Sequence, residues 1–278
     1  MIKQQEGEPM TRANMQESKR NKDDEYFTRL EYIEGACDKY DWENKTIYCP
    51  CDDPSSAFIT YFNNKGARVF SSSYPDGLLY LNGRKVGSID ENGDCMGSGC
   101  SNFYGHIDVI CTNPPFSLIR KFAKHLISFK QPFLLLGPSS MTSSKLMLEP
   151  DLQIIQARHH AIFDTPNGAR EQPIYWYAYK MPKMPPANPV EFHTLEWNKA
   201  NNRHLRQKQY QIWTNGVLEV PFSDAVPCDY SGIMAVPPTF MAYMDKDKWE
   251  ALDSIVWTRE DGTQTFQRVL IKNRLLQK

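Results

Sequence analysis

The chain has 278 residues, of which 41% are hydrophobic and 23% charged, so it is long enough to bury one large core or two modest ones. Lysine and arginine total 32 against 33 acidic residues, which excludes a whole-chain attraction to a polyanion; a nucleic acid would need a local basic surface. The longest apolar runs fall far short of the ~20 residues that span a bilayer, and the N-terminus lacks the apolar core of a signal peptide. We therefore expect a cytoplasmic protein with no membrane partner and with its seven cysteines reduced.

Alternating helix and strand patterns follow a polar N-terminal stretch. The first 22 residues have no apolar periodicity and are predicted to be a flexible arm. Strands interleaved with helices are typical of a parallel, doubly wound sheet. The predicted helices cover residues 24–40, 55–64 and 117–129, and the predicted strands cover residues 46–51, 67–71, 107–111 and 133–136.

Residues 72–105 interrupt this alternation. They contain too many glycines for a helix, and Asn82-Gly83 between two apolar runs predicts a hairpin, so the stretch is interpreted as an insertion. Residues 142–148 are predicted to form a short helix and residues 152–156 a strand. The aromatic run at 173–179 predicts a further strand, for which an antiparallel direction is open. The expected fold class is α/β, with a Rossmann-like sheet that is mostly parallel and has one antiparallel strand.

A proline-rich segment divides the chain. Residues 181–189 hold four prolines, which bar a helix and remove backbone donors, so we place a boundary there between a domain at 23–180 and a smaller C-terminal α+β region at 190–278. The C-terminal region contains a basic cluster without one acid, which is the best local candidate for contacting phosphates; a solvated helical face is the alternative. The cluster comprises Lys199, Arg203, His204, Arg206 and Lys208.

The chemistry of the chain is concentrated in Asn113-Pro114-Pro115-Phe116, which follows a predicted strand and precedes a predicted helix. Ligands of open parallel sheets bind beyond the carboxyl ends of strands, where this turn lies. The two prolines stiffen the loop, the Asn113 amide oxygen and the Pro114 carbonyl can accept from an exocyclic amine, and the Phe116 ring can stack on a planar base. The alternative is a rigid turn with a helix-capping asparagine.

This tetrapeptide is similar to the catalytic signature of amino-group methyltransferases that use S-adenosylmethionine, and the chain resembles in particular the EcoRI-type adenine methyltransferases. Three further regions resemble this family, and they occur in the same order as in the family. The resemblance is therefore more specific than one motif would be. The three regions are Asp24-Glu25-Tyr26-Phe27-Thr28, Cys49-Pro50-Cys51-Asp52-Asp53-Pro54, and the C-terminal segments at 220–234 and 236–240. The resemblance implies a Rossmann-like methyltransferase sheet in the domain at 23–180.

Cofactor-binding residues follow from the resemblance. It implies that Tyr26, Phe27 and Thr28 lie near the methionine part of the cofactor, with core packing as the alternative for the two rings. Asp52 and Asp53 would bind its ammonium group, although both also fit a helix N-cap. Asp94 would receive the adenine amine of the cofactor, and a turn role is the alternative.

The sequence departs from ordinary methyltransferases in two places. No glycine-rich loop follows the first strand, and the second strand ends in serines instead of the acid that usually pairs with the ribose.

The resulting expectation is a monomeric enzyme that methylates the N6 amine of a flipped adenine in a specific sequence of double-stranded DNA, with the C-terminal region recognising the target. Methylation of RNA or of a protein glutamine, and a catalytically inactive DNA-binding relative, are the alternatives. The cysteine and histidine spacings favour no metal site.

Overall fold

The computed structural model describes residues 27–50, 52–165, 168–258 and 262–276. The arm predicted over the first 22 residues, and Tyr26, lie outside these ranges.

Helices and strands follow one another much as predicted. The first part contains α1 (Leu30–Cys37), β1 (Thr46–Pro50), α2 (Ala57–Asn64), β2 (Arg68–Ser72), β3 (Leu78–Leu81), β4 (Arg84–Ser88), α3 (Ser98–Ser101), β5 (Val109–Thr112), α4 (Ile119–Ser128), β6 (Phe133–Pro138), β7 (Leu152–Phe163) and β8 (Arg170–Tyr179). The second part contains α5 (Leu195–Asn201), β9 (Gln211–Ile212), β10 (Leu218–Glu219), β11 (Met234–Val236), β12 (Trp249–Ile255) and β13 (Arg268–Asn273).

The first sheet has eight strands in the order β4-β3-β2-β1-β5-β6-β8-β7. Its centre, β2-β1-β5-β6, is parallel. Both flanks are antiparallel hairpins, β3 with β4 at one edge and β8 with β7 at the other. The prediction of a mostly parallel sheet with one antiparallel strand is therefore wrong, and the sheet is mixed. A hairpin adds two strands through a tight turn, whereas each parallel neighbour needs a long crossover, so both flanks extend the sheet without helices.

The hairpin predicted inside the insertion at 72–105 is confirmed. Asn82 and Gly83 have φ of 49° and 79°, the positive values that a type I′ turn requires. The Asn82 side chain also accepts the Val69 amide at 2.8 Å, which fastens the turn to β2. The insertion consequently enlarges the sheet instead of standing outside it.

Two predicted helices differ from the structure. The first begins only at Leu30, because residues 27–29 are extended and the Phe27 amide donates to the Asp164 carbonyl at 3.0 Å. The helix predicted over 142–148 is instead a pair of 3₁₀ turns, Ser139–Ser143 and Lys145–Leu148. Serine hydroxyls there accept or donate bonds to nearby backbone, which competes with regular helix formation.

Packed layers cover the two faces of the sheet. One face, which includes Ile47 and Cys111, packs against α1 and α2. The other face, which includes Tyr48 and Tyr177, packs against α4, the insertion and the C-terminal region. Burial of each large apolar side chain contributes roughly 1.5–3 kcal/mol, so this double covering accounts for the near-continuous apolar runs of the central strands.

The C-terminal region is a five-stranded sheet in the order β12-β13-β11-β10-β9, preceded by α5. Phe240 and Trp249 of this region are buried in the same apolar cluster as Tyr175 of the first sheet. The proline-rich segment at 181–189 contains no helix or strand. It therefore joins two sheets that share one continuous core.

Within the described ranges, no helix is both long enough and apolar enough to span a bilayer. The six cysteines that these ranges include are free. The carboxyl ends of β2, β1, β5 and β6 lie at one edge of the sheet, and the candidate site is built there.

Candidate active site

The Asn113-Pro114-Pro115-Phe116 turn leaves the carboxyl end of β5, whose four residues are all buried. The Pro115 carbonyl accepts the amides of Leu118 and Ile119, at 2.8 and 3.1 Å, and thereby starts α4. The residue at the N-cap position is Leu118, and no side chain caps the helix. Asn113 is therefore not a helix cap.

Asn113 is held by the chain segment that precedes α1. Its side-chain nitrogen donates to the Thr28 hydroxyl at 3.1 Å. The neighbours of Thr28 are fixed as well, since the Arg29 guanidinium pairs in bidentate fashion with the Asp164 carboxylate, at 2.9 and 3.2 Å. The same Asp164 accepts the Phe27 amide through its carbonyl. The turn between β7 and β8 thus fixes the segment that orients the Asn113 amide.

Phe116 lies on the apolar side of the turn. Its ring is partly buried, and its centroid is 6.1 Å from that of Phe163 in an edge-to-face arrangement. Phe163 is fully buried at the end of β7. Packing of this kind fixes the plane of the Phe116 ring while leaving part of it exposed for contact with a ligand.

Asp52 lies just beyond β1 and faces Thr112 of the neighbouring strand. Its carboxylate is 2.7 Å from the Thr112 hydroxyl and accepts the Ser56 hydroxyl at 2.6 Å. Burial raises the pKa of Asp52 to about 7, a negative charge at Asp53 adds to the effect, and the two hydroxyl donors oppose it. A positively charged ligand group beside Asp52 would favour the ionised form, so the site suits an ammonium.

Asp53 has a different environment. It is exposed, and one of its oxygens accepts both the amide and the hydroxyl of Ser55, at 2.7 and 2.6 Å. This is a local turn that leads into α2, whose N-cap is Ser56 and not Asp53, so the N-cap alternative is wrong for Asp53. The cofactor role of Asp53 stays a prediction.

Two serine hydroxyls lie at the carboxyl end of β2. Among the described residues, the buried hydroxyl oxygens of Ser71 and Ser73 have no hydrogen-bond partner. The loop that carries Asp94 packs on this end, because Gly93 approaches the Ser73 carbonyl so closely that a Cβ there would lie at 2.5 Å. Asp94 itself is exposed and accepts the Met96 amide at 2.9 Å. The structure therefore brings Asp94 next to the end of the second strand.

The basic cluster lies on and after α5. Lys199, Arg203 and Arg206 are exposed. Lys208 instead approaches the buried Glu219 at 3.4 Å, and Glu219 also binds Arg268 at 3.0 Å. Lys208 thus helps to neutralise a buried carboxylate. Lys199, Arg203 and Arg206 provide the exposed positive charge of the cluster.

A cavity of about 730 Å³ lies at the opposite edge of the sheet, where β6 begins. It is bordered by the start of β7, the residues after β8 and the C-terminal region. Methionine, charged and aromatic side chains line it, among them Met147, Met184, Lys183, Lys246, Asp247 and Trp249. This cavity contains none of the residues that the sequence predicted to be functional.

Sequence reasoning missed several residues of the site. Thr112, Ser56 and Asp164 each bind a predicted residue, yet none of them belongs to a motif. The sequence offered one indication of these residues: Thr112 is a hydroxyl residue at the end of a buried strand, where a ligand or a binding residue can be reached. The pairing of Arg29 with Asp164 joins positions 135 residues apart, which no local pattern reveals.

The Asn-Pro-Pro-Phe turn thus lies at the carboxyl edge of the parallel strands, where the resemblance to amino-group methyltransferases places their signature. A model of the family described as adenine-specific methyltransferase EcoRI matches residues 14–70 and 75–149. The Type II methyltransferase M.EcoRI of Escherichia coli is 25% identical, covering 96% of this chain and 98% of that protein. A second relative, the Type II methyltransferase M.MgeORF184P of Mycoplasma genitalium, is 26% identical, covering 86% of this chain and 85% of that protein.

The chain is thus similar to EcoRI-type adenine-specific methyltransferases, both in the family model and in these two relatives. Among solved structures, a putative RNA methyltransferase from Pyrococcus horikoshii aligns with 62% of this chain and all of its own, at 14% identity and a TM-score of 0.33.

Proposed function

We propose that this chain transfers a methyl group from S-adenosylmethionine to the N6 amine of an adenine that has been flipped out of a specific duplex DNA sequence, as a restriction-modification methyltransferase does. The observation that supports this proposal most directly is the Asn113 amide, oriented by Thr28 at the carboxyl edge between the ends of β1 and β6.

The residues along this edge fit S-adenosylmethionine. The Asp52 carboxylate suits its ammonium group, and the unpartnered hydroxyls of Ser71 and Ser73 suit its ribose. Asp94 follows Gly93, which packs on the end of β2, and would accept from its adenine amine. Thr28 is committed to Asn113 through its hydroxyl oxygen, so we assign it to the acceptor side of the site. When bound, the cofactor supplies an electrophilic methyl group.

The acceptor amine would be held by the corner itself. Because the Asn113 nitrogen donates to Thr28, its amide oxygen points away from Thr28 and can accept one hydrogen of the amine. The carbonyl of Pro114 can accept the other hydrogen, and the Phe116 ring can stack on the base. With both hydrogens held, the nitrogen lone pair faces the methyl group, and orientation of this kind contributes ~7–11 kcal/mol to catalysis.

The adenine must leave the duplex to reach this corner, at a cost of a few kcal/mol. The exposed cations Lys199, Arg203 and Arg206 are placed in the C-terminal region to contact phosphates, with Lys208 contributing less because of its pairing with Glu219. A single chain contains all of these residues, and we propose that the enzyme acts as a monomer.

Expression in a methylation-deficient host, followed by sequencing of modified bases, tests the proposal. We expect N6-methyladenine at one short recurring sequence, and no modification in cells that express Asn113→Ala. Unmodified DNA from cells with folded wild-type protein would refute the proposal. Transfer of labelled methyl groups to RNA or protein instead of DNA would replace it with one of the alternatives.

A further inference from the structure

The hairpin of β12 and β13 continues beyond the C-terminal sheet as a narrow two-stranded ribbon, which comprises residues 254–258 and 264–268. Thr258 bridges Gln264 in antiparallel fashion, and the Thr265 amide donates to the Trp257 carbonyl at 2.8 Å. Nearer the sheet, Ile255 pairs with Arg268, one residue out of step with the Thr258–Gln264 bridge, so Phe266 and Gln267 both lie opposite Val256 in a β-bulge.

The side chains of the ribbon have contrasting environments. Trp257 stacks on Trp213 with ring centroids 4.9 Å apart, and Thr265 is buried, so these two residues anchor the ribbon to the C-terminal sheet. Val256 and Phe266, by contrast, are 51% and 86% exposed and form its apolar surface. No other large apolar side chain among the described residues is as exposed as Phe266. Its ring therefore adds nothing to the folded core.

The root of the ribbon is fastened to the catalytic edge. Gln267, next to Phe266, donates its side-chain amide to the Ser143 carbonyl at 2.6 Å, and the Ser254 hydroxyl donates to the same carbonyl at 3.2 Å. Ser143 belongs to the turn that leaves the carboxyl end of β6. Arg120, in the first turn after the catalytic corner, donates to Ser140 and Ser143 of this turn at 2.8 and 3.3 Å. Two hydrogen-bonded steps thus join the first turn of α4 to the ribbon.

The area of the exposed apolar surface at Phe266 indicates the kind of partner. One phenylalanine buries roughly 150–250 Å², whereas a stable protein interface needs at least ~1,000 Å². A single ring is the right size to enter a base stack, where proteins that distort DNA insert phenylalanine or other apolar side chains. The exposed, positively charged Arg120 between the corner and the ribbon suits a phosphate backbone on the same side.

From these observations we infer that Phe266 is a wedge that enters the duplex next to the target adenine and stabilises the flipped state. This inference rests on the proposed DNA-methylating function and deepens it. The ring would replace the stacking that the departing base gives up, while the corner at Asn113 receives that base. Val256, directly across the ribbon, would support the ring from the other strand.

The test compares Phe266→Ala with wild type on duplexes that carry the sequence found by modified-base sequencing. Because Phe266 is exposed, the variant should keep the wild-type thermal midpoint and cofactor affinity. We expect kcat/KM for DNA to fall roughly ten- to hundredfold, since unstacking costs a few kcal/mol. With 2-aminopurine at the target position, the rise in fluorescence on binding should largely disappear. Phe266→Leu, which keeps an apolar wedge, should retain most of the activity.

A second duplex separates a wedge from a simple contact. When the target adenine faces an abasic site, extrusion costs little, and Phe266→Ala should act within about twofold of wild type. Leu275→Ala is the matched control, because Leu275 follows the other end of β13 and is 65% exposed. It should behave as wild type on both duplexes.

Two results would overturn the inference while leaving the proposed function intact. In the first, Phe266→Ala methylates the fully paired duplex as fast as wild type. In the second, it is impaired equally on the paired and abasic duplexes. A wild-type enzyme that methylates no DNA would instead refute the proposed function itself.

Discussion

At the carboxyl edge of the central sheet, burial raises the pKa of the Asp52 carboxyl to about 7, and at the amino edge it lowers the pKa of the Lys246 ammonium to about 8. Asp52 receives two hydroxyl donors, one of them from Thr112, the residue before Asn113. Lys246 donates to the backbone carbonyls of Glu149 and Pro150 at 2.6 and 3.3 Å and borders the 730 Å³ cavity. Both groups are desolvated, but only Asp52 stands among the residues that the family motif supplies.

The cavity and the directed polar groups of the candidate site lie at opposite edges of the sheet. The amino edge has room for a ligand, yet two of its cations are already engaged, Lys183 by Asp247 and Lys246 by backbone carbonyls. The carboxyl edge presents an oriented amide at Asn113 and partnerless hydroxyls at Ser71 and Ser73 among the residues described. Directed polar groups therefore locate the candidate site better than the 730 Å³ cavity does.

The largest effect should come from Asn113→Ala, which removes the acceptor that aligns the amine. We expect the single-turnover rate of methyl transfer to fall by about a thousandfold or more, with cofactor affinity nearly unchanged in calorimetry. Asn63→Ala, on the exposed side of α2, serves as the control. Equal loss of transfer and cofactor binding would indicate a folding defect and would contradict the assigned role.

Asp52→Asn should weaken cofactor binding by roughly ten- to a hundredfold, because a charge-assisted hydrogen bond contributes about 1.5–3 kcal/mol. In wild type, affinity should rise as pH increases through about 7, where the Asp52 carboxyl ionises. The asparagine variant should lose this dependence. Calorimetry at about pH 6 and about pH 8 measures both effects, and a wild-type affinity that is the same at the two pH values would rule out Asp52 as the ammonium partner.

Thr28→Val should lower the rate of methyl transfer about tenfold by releasing the Asn113 amide, since one hydrogen bond contributes about 0.5–1.5 kcal/mol. Thr28→Ser, which keeps the hydroxyl, should restore most of the rate. Cofactor affinity distinguishes the two possible roles of Thr28. If it falls as much as the rate, Thr28 binds the cofactor and the positioning role is wrong.

Replacing Arg203 and Arg206 by alanine should reduce DNA affinity severalfold and lower the slope of log K against log[salt] by about 1 for each phosphate that is no longer bound. Fluorescence anisotropy across a salt series measures this. Lys208→Ala should change the slope less and stability more, because it leaves Glu219 with one cation fewer. An unchanged slope in the double variant would favour a merely solvated surface.

The smallest effect on activity is expected at the amino edge. Lys246→Met should leave cofactor affinity and methyl transfer within about twofold of wild type. The pH dependence of stability should differ, however. The lowered pKa of Lys246 means that the unfolded chain binds more protons between about pH 8 and the usual value near 10.5, so this group makes stability rise with pH in that window.

Asp52 has the opposite sign. Its raised pKa means that the folded protein binds more protons between the usual value near 3.8 and about 7, so its contribution makes stability fall as pH rises through that window and level off above it. Urea titrations of Asp52→Asn and Lys246→Met across about pH 5–10 should each flatten one window only. Flattening of the same window by both variants would mean that the two edges are coupled.

Local patterns along the chain were enough to predict the parallel centre of the sheet and the rigid turn at Asn113-Pro114-Pro115-Phe116. Buried strands read as continuous apolar runs, and two prolines after β5 allow little besides a rigid turn, so residues close together in the chain carry all of this information. The hairpin at Asn82-Gly83 was equally local, because positive φ at both positions specifies its turn.

The meeting of distant segments became visible only in three dimensions. Thr28 reaches Asn113 across 85 positions, Gln267 reaches Ser143 across 124, and Lys208 is engaged by a buried glutamate that no pattern marks. The alternation of strands along the sequence does not reveal which hairpin joins which edge of the sheet. For this reason the sequence predicted a mostly parallel sheet, whereas the sheet is mixed. Such interactions depend on side chains from separate elements converging in space, which a one-dimensional period cannot encode.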